Sequence, residues 1–433
     1  MAHRLSLLVP TDRRLLLAKR SAPDAVREAG ADGLWFTEPA ATPSGTQTSG
    51  DVSPPTALPS ALTPPPLEHP APPPQRWPSR QMQFVARILS TERKLMDDAE
   101  EFSQFYQGRP DAHPAPVPLA LRMVASVTER EVRGRRVFRV EPHVTPPSPW
   151  HIVYLHGGGF VNTIIGPHWD IVLQLVRHTG ATVTVPLYPL APRHTYKDGL
   201  AFVEEVVRDL SAAVPPERIV LAGDSAGGCI AIVTAMRLRD AGAPGPGRLV
   251  LFSPCTSVVE GSAEVDDIEP TDPILARPGG MLAGRWWAGL DDPSIPEVSP
   301  LFGDLAGLPP LQIFQGTRDI LLPDVRLFAE RVHDAGGDVE LRIYPGAIHV
   351  FVGATFTPEA QDAFRAVAAG LEASAPEYAR LQRVVTSHLG VFPRQVAARA
   401  RAQGTPWIQH GRRAAETWRQ RAVTARRPLR LAG

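Results

Sequence analysis

Between residues 136 and 344, short apolar or alternating runs are separated by longer stretches whose apolar residues recur every three or four positions. The runs at 136–141, 151–155, 182–187, 218–222, 248–252, 311–315 and 339–344 predict strands. The stretches at 170–178, 198–213, 230–241 and 324–335 predict helices between them. Strand alternating with helix over this length predicts an α/β fold, a mostly parallel central sheet with helices on both faces. Upstream, Phe84, Val85, Ile88, Leu89, Leu95 and Met96 recur at near-helical spacing, so residues 81–105 are expected to form amphipathic helices of a cap. No internal repeat is visible.

Composition changes the picture at the two ends. Residues 38–80 are rich in Pro, Ser, Thr, Ala and Gly, including Pro64-Pro65-Pro66 and Pro72-Pro73-Pro74, which suits a linker and neither helix nor sheet. Residues 12–29 have the spacing of a charge-dense helix. Residues 376–433 carry many arginines, including Arg412, Arg413, Arg426 and Arg427. Since Lys19, Lys94 and Lys197 are the only lysines, Arg richness is a habit of the whole chain, and we read this stretch as a solvated tail. Lys+Arg and Asp+Glu both total 45, so no net field favours nucleic acid or an anionic membrane as a partner. That balance suits a small uncharged ligand. Cys229 and Cys255 sit in apolar surroundings and are expected to be free thiols. The apolar stretch 5–9 is broken by Pro10 and Asp12, short of a signal-peptide core, and no run reaches the ~18 apolar residues of a membrane span. A cytoplasmic location is the expectation. No feature specifies an oligomer.

The candidate chemistry sits at strand ends. Gly223-Asp224-Ser225-Ala226-Gly227 directly follows an apolar run and precedes a helical one, the setting of a nucleophile elbow. The bland reading of Ser225 is a helix-capping serine. His156-Gly157-Gly158-Gly159-Phe160 follows another strand, and its glycines expose backbone N–H groups of the kind that stabilise a tetrahedral oxyanion. Gly158, Gly159 and Ala226 are the candidate donors, with His156 and Gly157 as loop support. A phosphate loop would require Gly-Lys-Ser/Thr or G-x-G-x-x-G opening a helix, and neither occurs here. A serine nucleophile requires a base, and the base an orienting acid. Asp319 leaves the strand at 311–315 and His349 follows the strand at 339–344, completing the order Ser, Asp, His found in α/β-hydrolases. Asp324 and His333 are the rivals. No H-E-x-x-H and no Cys/His cluster at ligand spacing is present, so no metal is expected and no cofactor is required.

These segments resemble the bacterial hormone-sensitive-lipase-like esterases, the family IV or α/β-hydrolase fold-3 group. The resemblance covers residues 81–372 and includes Tyr188-Pro189-Leu190-Ala191-Pro192, Gly228 beside the elbow, Ser299-Pro300-Leu301 and Gly316-Thr317-Arg318-Asp319. It departs at Arg193, where the family usually has Glu, and at Asp319-Ile320-Leu321-Leu322, which replaces the commoner Asp-Pro-Leu and leans toward lactone and acetyl-ester hydrolases. The resemblance implies the α/β-hydrolase fold and a cap made by the N-terminal helices and residues 260–290. In that cap, Trp286 and Trp287 are candidates to line an acyl or alcohol site. The expected organisation is an N-terminal extension at 1–80, a catalytic domain at 81–375 and a tail at 376–433. The expected activity is hydrolysis of small short-acyl esters by Ser225, His349 and Asp319. An N-acetyl amide or small-lactone hydrolase is the alternative. A non-catalytic binder is more remote, because such relatives typically lack a triad member.

Overall fold

A computed structural model describes residues 77–107, 113–143 and 148–374. The expected helix at 12–29, nearly all of the linker at 38–80 and the tail at 376–433 lie outside them. Eight strands make one sheet: β1 Ala125–Val132, β2 Arg135–Pro142, β3 His151–Leu155, β4 Thr182–Pro186, β5 Ile219–Asp224, β6 Arg248–Phe252, β7 Leu311–Arg318 and β8 Val339–Ile348. Their spatial order is β1-β2-β4-β3-β5-β6-β7-β8. Strands β1, β2 and β4 pair antiparallel and all other neighbours pair parallel.

The longer helices are α1 Arg80–Leu89, α2 Ala99–Tyr106, α3 Gly166–Thr179, α4 Tyr196–Ser211, α5 Ala226–Asp240, α6 Arg277–Ala288, α7 Leu322–Asp334 and α8 Pro358–Ala373. The pleat divides each central strand between two cores. Val153, Leu155, Leu221, Leu249 and Leu251 face one cluster with α4, α5 and α7. Ile152, Tyr154, Val220, Val250 and Phe252 face the other with α1, α3 and α8. Because both faces are covered, the central strands β3, β5 and β6 read as near-continuous apolar runs, which is why they are legible in the sequence.

The ends of the sheet depart from expectation. Strand β1 reads Ala-Ser-Val-Thr-Glu-Arg-Glu-Val and is mostly exposed, so it lacks the apolar run that announces the others. It pairs with β2 through a two-residue turn at Arg133 and Gly134, both at positive φ, and its charges protect a sheet edge. Strand β8 runs past the expected 344 through Pro345 and Gly346, with a register shift against β7 between Gly316 and Arg318. Helix α8 was not among the predicted elements, although Thr357 caps it by accepting the N–H of Ala360 and Pro358 stands at its first position. Glu359 in that helix accepts the backbone N–H and hydroxyl of Ser79 at 2.6 and 2.8 Å, anchoring the start of α1.

Above the strand ends, α2 packs on α6 while α1 packs on β8. Trp287 of α6 is fully buried, stacks on Phe160 with centroids 4.8 Å apart, and lies over Gly199 of α4, where a Cβ would come within 2.2 Å of its ring. Among the described residues no helix is long and apolar enough to cross a membrane.

Candidate active site

The turn at Ser225 is held open by glycines on both sides. Ser225 sits between β5 and α5 at φ 52° and ψ −121°, a region costly for a side-chain-bearing residue. A Cβ on Gly223 would come within 2.4 Å of the Gly227 carbonyl oxygen, and one on Gly227 within 2.0 Å of the Leu155 carbonyl oxygen. Both positions of the G-x-S-x-G pattern therefore require glycine for close backbone approach. The Ser225 N–H donates to the Phe252 carbonyl at 3.0 Å, and its carbonyl accepts from Gly228 and Cys255, also at 3.0 Å. The hydroxyl caps no helix N–H, so the capping reading does not describe it.

The glycine loop lies beside this turn. Gly158, Gly159 and Phe160 all have positive φ. Gly157 packs on Asp224 so tightly that a Cβ would stand 2.2 Å from the carboxylate. Among the described residues, no acceptor takes the N–H groups of Gly158, Gly159 or Ala226. Gly159 and Ala226 border the same cleft as Ser225. His156 is buried, stacked on Tyr188 with centroids 4.5 Å apart, and its Nδ1 lies 2.8 Å from the Gly157 carbonyl oxygen. Burial pushes its imidazole down to about 4, so it is neutral, and it makes no hydrogen bond to Ser225. The Asp224 carboxylate accepts the Tyr154 hydroxyl at 2.5 Å and has His168 Nε2 at 3.5 Å. Burial alone would raise its pKa, but His168, Tyr154 and His156 outweigh that and hold it below the usual carboxylate range.

The carboxyl ends of β7 and β8 bring the remaining groups to Ser225. His349 Nε2 lies 2.9 Å from Ser225 Oγ, and its Nδ1 lies 2.9 Å from Asp319 Oδ2. Asp319 is fully buried, and its Oδ1 accepts the Leu321 N–H at 3.0 Å. Burial would lower the pKa of His349, but the Asp319 carboxylate overcomes it, with smaller contributions from Asp272 and Asp224, and the net shift is upward. Chain reversal after His349 places Val350 at φ 48°, its N–H donated to Ser253 Oγ at 3.0 Å. The rivals fall elsewhere: His333 is exposed on the last turn of α7, and Asp324 borders the cleft without bonding His349.

Residues 152–353 match the model of a family described as alpha/beta hydrolase fold. An esterase of Acinetobacter venetianus is 31% identical over 221 residues, 50% of this chain and 73% of the relative. An acetyl-hydrolase of Streptomyces hygroscopicus is 34% identical over 209 residues, 46% of this chain and 67% of the relative. The crystal structure of an esterase from the bacterial hormone-sensitive lipase family superposes with a TM-score of 0.57 at 25% identity, covering 68% of this chain and 97% of that one. The chain belongs to the bacterial hormone-sensitive-lipase-like esterases of the α/β-hydrolase fold. It is an ester hydrolase by family.

The walls of the cleft that Ser225 borders differ from the sequence expectation. Trp286 and Trp287 do not border it: Trp287 is core against Phe160, and Trp286 stacks on Phe102 at 5.7 Å. Bulky rings on a short helix pack inward here, and the wall falls to Met96, Val258, Leu275, Met281 and Leu321. Sequence reasoning also missed Asp272. This buried carboxylate accepts the N–H groups of Ile274 and Leu275 through Oδ1 and of Ile320 through Oδ2. Burial and the neighbouring Asp319 charge push it up to about 6. An Asp directly before Pro273 is a turn signal, but nothing local to it points at Asp319, 47 positions on.

Proposed function

We propose that this esterase hydrolyses small, short-acyl carboxylic esters through an acyl-enzyme on Ser225. The observation that carries the reading is the unbroken line from Asp319 Oδ2 through His349 to Ser225 Oγ, at 2.9 and 2.9 Å, opening on an apolar cleft. His349 takes the hydroxyl proton as Ser225 Oγ bonds to the ester carbonyl carbon. The carbonyl oxygen becomes an oxyanion facing the N–H groups of Gly158, Gly159 and Ala226. His349 then returns the proton to the departing alcohol, and water repeats the sequence on the acyl-enzyme, releasing acid and regenerating Ser225. Asp319 orients the imidazole and stabilises its cation, while His156 and Gly157 support the loop. The name acetyl-hydrolase, borne by the Streptomyces relative, supports short acyl groups. In this reading residues 81–375 form the catalytic domain.

The test is hydrolysis of p-nitrophenyl esters from acetate to palmitate by the wild type and by Ser225→Ala. Activity is expected to peak on short chains and to fall by a factor of about 10⁴ or more in the variant, with its circular dichroism unchanged. Equal activity in the variant would overturn the assignment of Ser225. A folded wild type inactive on every ester would redirect the reading to amides or lactones.

A further inference from the structure

The cleft wall carries one feature that hydrolysis of a neutral aliphatic ester does not use. Asp324, in the first turn of α7, borders the cleft together with Ser225, Val258, Val265, Leu275 and Met281. Its side chain takes part in no hydrogen bond or ion pair among the described residues. Gly261, also on the wall, lies beside it: a Cβ there would be 3.6 and 3.7 Å from the two carboxylate oxygens. Burial raises this carboxyl to about 6, so at neutral pH it is charged at the expense of lost hydration. The nearby cation is committed elsewhere. Arg277 of the same wall pairs with Asp266 and, at 3.0 Å, with Glu269, so that cluster adds no net positive charge to the cleft.

We propose that Asp324 is a specificity-determining residue and that the preferred substrates are esters carrying an ammonium group, in the acyl or the alcohol part. This rests on the ester-hydrolase reading above. A bound cation would restore the electrostatic stabilisation the carboxylate loses on leaving water, and the apolar wall would take the alkyl groups around the nitrogen. Neutral esters of the same shape leave that carboxylate uncompensated.

Two pairs of substrates differing in charge and little in shape test this: p-nitrophenyl 6-aminohexanoate against p-nitrophenyl heptanoate, and acetylcholine against 3,3-dimethylbutyl acetate. For at least one pair the wild type is expected to favour the cationic member in kcat/KM. Asp324→Asn is expected to lower the cationic-to-neutral ratio about tenfold or more. Hydrolysis of p-nitrophenyl acetate by the wild type and its loss in Ser225→Ala, measured in parallel, report on the ester-hydrolase reading alone. Given that activity, a wild type that favours neither cationic member, or a ratio unmoved by Asp324→Asn, overturns the role of Asp324.

Discussion

Asp272 Oδ2 accepts the backbone N–H of Ile320 at 3.0 Å, which ties the segment bordering the cleft at Leu275 and Ala276 to the residue next to Asp319. One buried carboxylate thus holds three N–H groups and adds a second negative charge near His349. Asp272→Asn keeps the size but presents an amide N–H where one of those donors requires an acceptor, which costs about 1–3 kcal/mol. Urea unfolding reads that loss. Removing the charge also lowers the pKa of His349, so the acid limb of the kcat/KM profile is expected to move to lower pH. A purely structural role would leave that limb in place.

In the proposed mechanism His349 must be neutral to accept the serine proton. Its folded pKa lies above the ordinary 6.5, so kcat/KM is expected to fall with acidification along a limb centred above pH 6.5. Asp319→Asn takes away the charge that raises it, and the limb should shift down while kcat falls by a factor of about 10⁴. The linkage to stability has the opposite sense. A raised histidine pKa stabilises the fold fully below about 6.5, and that contribution disappears as pH rises through the folded value. The catalytically competent form is therefore the one without it, and thermal unfolding of wild type and His349→Gln should differ most on the acid side.

A second carboxyl makes a stability prediction independent of any substrate. Burial holds Asp324 at about 6 in the folded chain, above the ordinary aspartate value of about 3.9, so the folded state binds more protons between these values. Wild-type stability from this group therefore declines as pH rises through that window. Asp324→Asn removes the decline. It is expected to stabilise the protein by about 1–2 kcal/mol above pH 7, after allowance for solvent in the open cleft, and by little at pH 4. Denaturant unfolding at the two pH values measures the difference. A group that weakens the fold where the enzyme works is the pattern of a residue retained for binding.

The parts of this site legible in the sequence are those whose chemistry is local. Gly223 and Gly227 are demanded because an added Cβ would stand 2.4 and 2.0 Å from backbone oxygens, and the fully buried strand before Ser225 reads as an apolar run. His349 is found by its place after the last strand. What the sequence does not display depends on which surfaces meet. Strand β1 is hidden by its charges, since an edge strand buries little. Asp272 and Asp324 are ordinary turn and helix-start residues until the fold sets one beside Asp319 and the other on the cleft wall. The aromatic pair in α6 suggested a substrate wall because aromatic character alone does not tell a helix's inner face from its outer one.

The contact between Trp287 and Gly199 sets two magnitudes against each other. Gly→Ala inside an exposed helix usually stabilises by about 1 kcal/mol, because alanine loses less backbone freedom. In α4 the added methyl would stand 2.2 Å from Cη2 of Trp287, a fully buried ring with no open space to turn into. Overpacking of this kind costs about 1–3 kcal/mol, so Gly199→Ala is expected to destabilise on balance. The effect should reach the chemistry proposed above, because Trp287 stacks on Phe160, the residue after Gly159, and a displaced ring moves the loop proposed to hold the oxyanion. We expect kcat to fall more than KM rises, as for an interaction made in the transition state. Trp287→Leu, which clears the space while leaving its own cavity, should make Gly199→Ala nearly neutral in the double variant. A double-mutant cycle by denaturant unfolding measures that coupling, and strictly additive losses would show that the two residues do not press on each other.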